Sequence, residues 1–219
     1  YDPATLTVPD TDSPPVPDRW WLDYDYRVAL AKGWSASINY ASVSDVDYFQ
    51  DLGNTGLNST TQSFLYRDAR ITYRGKHWDF LASTQGYQTL DLTVSRLYEP
   101  YRMLPRLNLD GEYYLDSGIE LALDTEYVAF DRSLDAGNFT PAQLNAGTLV
   151  TGQRFSLTPS VSLPWSNAYA FATPALKYRY TSWNLSDQAA GTADSPKRGI
   201  ATASVDSGLI FERDYAVFG

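Results

Sequence analysis

From Trp20 onward the chain alternates apolar and polar residues over long stretches. Trp20, Leu22, Tyr24, Tyr26, Val28 and Leu30 fall on one side of an extended segment, with Arg19, Asp23, Asp25 and Arg27 on the other. A period of two with unlike faces marks a strand half in one medium and half in another. A short Ala31-Lys32-Gly33 turn leads to a second such segment, with Trp34, Ala36, Ile38 and Tyr40 opposing Ser35, Ser37 and Asn39, so the pair predicts a hairpin. The pattern recurs after Phe64, where Asp68, Arg70, Thr72 and Arg74 oppose Ala69, Ile71 and Tyr73, and Arg67 falls on the apolar side. A tight Gly75-Lys76-His77 turn precedes Trp78, Phe80 and Ala82 alternating with Asp79 and Ser83. Next come Leu107, Leu109 and Tyr113 against Arg106, Asn108, Asp110 and Glu112, then an Asp116-Ser117-Gly118 turn. Ile119, Leu121, Leu123 and Tyr127 follow against Glu120, Asp124 and Glu126. A strand from Phe155 turns at Trp165-Ser166-Asn167 into one from Ala168 to Trp183, and a last strand runs from Ile200 to Arg213.

The connections alternate long and short, with long polar or aromatic stretches at 45–62 and 87–103 and through Gly137, Asn138, Pro141 and Gly147. The strands run to roughly ten residues or more, against about five or six in an ordinary globular domain. Short turns at one end, long loops at the other and long tilted strands describe an outer-membrane barrel. Trp20, Trp34, Trp78, Trp165 and Trp183 lie at or near strand ends, where an amphipathic ring sits at headgroup level. The predicted fold class is therefore all-β, an antiparallel transmembrane β-barrel of outer-membrane type. About nine strands are expected. A sheet in lipid must close on itself, so an odd, open set predicts an incomplete part of a larger barrel. The expected domains are an irregular Pro-rich loop over 1–18 and a partial barrel over 19–219. The uncharged run Phe155 to Leu176 is long enough for a membrane helix, but Pro159, Pro164 and Pro174 and its period of two exclude one. Residue 1 is followed by no signal-peptide pattern, which predicts a mature chain or a fragment.

Composition narrows the chemistry. The net charge of −9 with no basic block excludes nucleic acid as a partner. The absence of Cys removes thiolate metal sites and a cysteine nucleophile, and no cofactor is expected. His77 alone cannot build a Ser/His or Asp/His machinery in a short turn, and no phosphate-cradling glycine loop occurs, so no enzyme is expected. Asp45, Asp47 and Asp51 with Asn54 lack the Gly and terminal Glu of a calcium loop, so no metal site is assigned. The acidic balance predicts no phosphate clamp in this section.

Particular words carry a resemblance. Arg19-Trp20-Trp21-Leu22, then Asn39-Tyr40-Ala41-Ser42-Val43-Ser44-Asp45 with Tyr48-Phe49 and Asp51, and the ending Val205-Asp206-Ser207-Gly208-Leu209-Ile210-Phe211-Glu212-Arg213-Asp214, resemble the LptD family of lipopolysaccharide-assembly proteins. The resemblance covers most of the chain, as a middle section of that family's barrel. It implies transport of lipopolysaccharide and its insertion into the outer leaflet of the cell outer membrane. It also implies a plug lipoprotein similar to LptE, contact with outer-membrane lipid, and periplasmic bridge components reached through an N-terminal domain that is not recognisable here. A porin-like or usher-like channel and a soluble sugar-binding β-sandwich remain open alternatives.

Asp68, Arg70, Arg74, Glu120, Asp124, Glu126, Lys177 and Arg179 occupy the polar faces and are expected to line a hydrated lumen and bind the plug or passing sugar chains. Tyr48, Phe49, Tyr98 and Tyr101 are expected to fold inward with the long loops and contact the plug or neighbouring loops. Catalytic residues are not expected.

Overall fold

The computed structural model describes residues 18–51, 63–91, 96–132, 134 and 136–212. The expected irregular loop over 1–18, apart from residue 18, and residues 52–62 of the expected long loop over 45–62 lie outside the described residues. Strands β1 (Trp21–Ala31), β2 (Trp34–Val43), β3 (Phe64–Arg74) and β4 (Trp78–Thr89) come first. After them come β5 (Arg102–Tyr114), β6 (Glu120–Asp131), β7 (Thr151–Ser162), the two-residue β8 (Trp165–Ser166), β9 (Ala170–Ser186) and β10 (Lys197–Leu209). They form one antiparallel sheet in which each long strand pairs with the next in sequence, β8 pairing only with β9. The nine long strands match the expected number, and no pairing joins β1 to β10, so the sheet is open, as in part of a larger barrel. No helix among the described residues is long and apolar enough to cross a membrane.

This is a single layer. Among the described residues only Val43, Phe49, Leu65, Leu90 and Val128 are buried apolar side chains, so no second sheet packs on the first as a β-sandwich requires. Instead Leu22, Tyr24, Tyr26, Ile38, Ile71, Leu109, Leu121, Val161, Leu176 and Val205 stand exposed. The register places all of them on one face, Tyr26 opposite Ile38, Ile38 opposite Ala69, and Leu121 opposite Val161, itself opposite Leu176.

At the short-turn end the same face carries an aromatic row. Trp34 packs 5.0 Å from Tyr73, and the Trp78 indole N–H donates to the Tyr113 hydroxyl at 2.8 Å. The first turn depends on Gly33, whose φ of 83° is left-handed and whose missing Cβ would lie 2.6 Å from the Arg74 carbonyl. Trp183 departs from the expected girdle. It pairs with Arg154, which sets it on the opposite, polar face.

Some boundaries differ from the sequence expectation. β4 continues to Thr89 and β5 begins at Arg102, so Tyr87 is a strand residue and the connection is 90–101. A bulge between Met103 and Arg106, where Leu104 and Pro105 both oppose Ala129, shifts the alternation by one residue and hides the strand's start. Trp165–Ser166, expected as a turn, is the short β8. Two short helices, α1 (Tyr48–Asp51) and α2 (Pro141–Asn145), lie inside the long loops. Thr140 and Gln143 cap α2 reciprocally.

Candidate functional site

The polar face is the candidate site, and the register assembles it in rows. Across one row, Arg74 faces Asp79, Asp79 faces Asp110, Asp110 faces Asp124 and Asp124 faces Thr158. Across the next, Thr72, Leu81, Asn108, Glu126, Ser156, Thr181 and Arg198 follow one another. Beyond it, Arg70, Ser83, Arg106, Val128, Arg154 and Trp183 are successive partners. Asp68, Arg70 and Arg74 on β3, Glu120, Asp124 and Glu126 on β6, and Lys177 and Arg179 on β9 therefore share one face. That common face follows from the period of two and the unbroken pairing that carries it from strand to strand.

The face is segregated by charge. Three carboxylates from neighbouring strands, Asp79, Asp110 and Asp124, meet across β4 to β6. A hydroxyl row, Ser156, Thr158, Ser160 and Ser162, runs along β7, and the cations Lys177, Arg179 and Arg198 stand beyond it on β9 and β10. Ion pairs occupy the boundaries. Arg70 meets the buried Asp68 carboxylate at 2.7 Å. Glu126 is gripped from both sides, by Arg106 at 2.9 Å and by Arg154. Ser162 donates to Glu120 at 3.1 Å.

Two open grooves run along this face. One, of about 620 Å³, lies over β1 to β3 and includes Asp25, Arg27, Asn39, Asp68 and Arg70. The other, of about 480 Å³, spans β5 to β10 and includes Arg106, Glu126, Arg154, Arg179, Trp183 and Arg198. Arg106, Arg154, Arg198 and Trp183 were not among the expected site residues. Arg106 was legible as a polar-face position, whereas Arg154 precedes the recognised start of its strand at Phe155.

The four aromatic residues expected in loop contacts do not form one cluster, although Tyr48 and Phe49 pack together. Phe49 is 3% exposed, edge-on to Trp21 at 6.1 Å, and packs with Val43, Leu65 and Leu90 in a small core under α1. Tyr48 packs beside it, its ring edge-on to Phe49 at 5.5 Å. Tyr101 donates to the Val150 carbonyl at 2.8 Å while the Arg132 guanidinium covers its ring at 4.3 Å, which ties two long loops together. Tyr98 is 78% exposed. Arg132, which also donates to the Glu99 carbonyl at 3.0 Å, carries no periodic signal in the sequence.

Below α1, Arg19 bridges Asp45 at 2.5 Å and Asp51 at 2.8 Å. The Arg19 guanidinium, helped by the Ser44 hydroxyl, holds the Asp45 carboxyl below its ordinary value. No group of three or more metal-ligating side chains occurs among the described residues. His77 stacks on Tyr113 at 4.5 Å, and its Nδ1 lies 3.0 Å from the Glu112 carbonyl oxygen.

Comparison with known proteins places these features in a family. The family model LptD, LPS transport system D, matches residues 17–219. The LPS-assembly protein LptD of Pseudomonas syringae pv. syringae is 33% identical over 221 residues, and that of Pseudomonas aeruginosa strain UCBPP-PA14 is 33% identical over 228. The corresponding protein of Hahella chejuensis is 32% identical over 201 residues. Each match covers 92% of this chain and 24% of the relative, so the chain spans about a quarter of the length of these proteins.

Proposed function

The chain belongs to the LptD family, LPS transport system D, and we propose that it forms a stretch of wall in an outer-membrane barrel that transports lipopolysaccharide and inserts it into the outer leaflet. One observation carries this reading: a single-layer sheet presents a continuous apolar face on one side and a continuous polar, grooved face on the other. An exposed apolar face of this extent needs lipid against it, and the outward band of a membrane barrel provides that contact. The polar face then borders water. It suits a saccharide in transit, which needs hydrogen-bonding groups but no tight pocket.

The role is non-enzymatic, with energy supplied by other components. The partners that follow are lipopolysaccharide, outer-membrane lipid, a plug lipoprotein similar to LptE seated against the polar face, and periplasmic bridge components acting through other parts of the full-length protein. Residues 19–219 act as barrel, with the short turns toward the periplasm and the long loops outside. Asp68, Arg70, Arg74, Glu120, Asp124, Glu126, Lys177 and Arg179 line the lumen. Tyr98, the most exposed of the four loop aromatics, is the one best placed to meet another component.

The test is purification of the full-length parent protein in detergent. Lipopolysaccharide and a lipoprotein are expected to accompany it, and charge reversal of Glu120 and Asp124 is expected to lower the amount of one or both. A detergent-dependent barrel carrying neither would overturn the export reading in favour of a channel.

A further inference from the structure

We propose that the groove over β5 to β10 is a standing subsite for the anionic groups, phosphate or carboxylate, of an exported saccharide. This rests on the transport reading above and adds to it a place and a chemistry.

The net charge of −9 describes the chain as a whole, but the register distributes it unevenly. At the groove, Arg106 and Arg154 together meet the single carboxylate of Glu126, which leaves a surplus of positive charge. None of the ion pairs among the described residues includes Arg179 or Arg198, and Lys177 stands on the same face two residues before Arg179 on β9. The remaining acid, Asp124, lines the groove as well, so four guanidinium groups (Arg106, Arg154, Arg179 and Arg198) stand against two carboxylates (Asp124 and Glu126). The groove is therefore locally cationic.

Its other walls suit a sugar. Ser156, Thr158 and Thr181 present hydroxyls that both donate and accept, the pairing a polyol needs. Trp183 brings a broad, flat, mostly apolar ring onto a polar face beside Arg154. Guanidinium groups match the oxygen geometry of phosphate and carboxylate and bind them by paired, charge-assisted hydrogen bonds. The groove is open along its length. Binding in a hydrated lumen is screened and stays weak, as passage requires, since an occupant must leave as readily as it enters.

The experiment uses the full-length protein with its co-purifying partners in detergent. The probe is delipidated core oligosaccharide from lipopolysaccharide, in native and enzymatically dephosphorylated forms. Native probe is expected to bind wild type with an affinity that falls as salt rises, and Arg179→Gln with Arg198→Gln is expected to weaken it about tenfold. Arg179→Lys with Arg198→Lys, which keeps charge without the fork, should recover part of the loss. If dephosphorylation abolishes binding, phosphate is the group held; if it does not and the salt dependence persists, carboxylate sugars are. Salt-independent binding, or equal binding by the Gln variant, overturns the subsite while leaving transport intact. Loss of the lipoprotein with unchanged probe binding overturns it as well, assigning the cations to an acidic partner segment. Should wild type carry no lipopolysaccharide at all, the transport reading fails and the subsite with it.

Discussion

At the scale of single residues, Arg67 explains how a charge sits on the apolar side of a strand. The β2–β3 pairing ends at Tyr40 opposite Arg67, and beyond that point the strands part. The Arg67 guanidinium fills the gap. It donates to the Ala41 carbonyl and the Ser42 hydroxyl at 2.8 Å and to the Gln88 side-chain oxygen at 2.6 Å, while stacking 4.7 Å from the Tyr40 ring centroid. Gln88 in turn donates to the Val43 carbonyl at 2.8 Å. Removing the guanidinium takes a donor from three acceptors at once, and the Gln88 oxygen keeps others, the Ser42 hydroxyl and the Val43 N–H at 3.1 Å. Arg67→Met is expected to destabilise the folded barrel by about 1–3 kcal/mol, read as a lower urea midpoint in lipid vesicles. Arg67→Lys should recover only part, because an ammonium cannot reach three acceptors in one plane. Nothing in the alternation foretold this role. Sequence marks Arg67 as an exception, and only the partners supplied by β2 and β4 turn the exception into a brace.

At the scale of elements, the alternation made most strands legible because one face must meet an apolar medium along its whole length. The long strands in Trp21–Ala31, Trp34–Val43 and Glu120–Asp131 needed nothing more. Legibility failed where another rule competed with the period. The bulge at Leu104 and Pro105 shifted the phase of β5, and the Trp165 to Asn167 stretch, rich in turn formers, hid β8. Trp183 looked like a girdle residue by position but faces the groove by parity. The shared face of the site residues was readable strand by strand, whereas their order across the sheet needed the register. Register also explains Gly111, which faces Trp78, so that a Cβ there would lie 2.5 Å from the indole ring. Gly111→Val must displace that ring from its hydrogen bond to Tyr113. A loss of about 1–3 kcal/mol is expected, as for other overpacked sites, together with a change in the near-ultraviolet aromatic signal. Pairing the substitution with Trp78→Ala should relieve most of the strain, which separates a steric cause from a general weakness of the turn.

At the scale of the whole molecule, the open sheet has no interior in the ordinary sense, and the medium on each side decides what each face costs. With so few buried apolar side chains, burial against water-excluded protein cannot hold these residues in one layer. Hydrogen bonds between strands do so, and they are worth most where no water competes for them. The two faces must then respond oppositely to the same substitution. Leu176 is 61% exposed on the apolar face, and Ser204 faces Ala175 on the polar one. In water the two positions would be near-equivalent exposed sites, and arginine at either would change stability by about 0.5 kcal/mol or less. Against a bilayer, Leu176→Arg is expected to cost about 2–4 kcal/mol, while Ser204→Arg, pointing into a hydrated lumen, costs about nothing. Unfolding of the full-length variants in lipid vesicles measures both. Equal and small effects would mean that the apolar face meets something other than lipid. A large penalty confined to Leu176 would place hydrocarbon against it, and the charged rows of the opposite face would then border water on the other side of the wall.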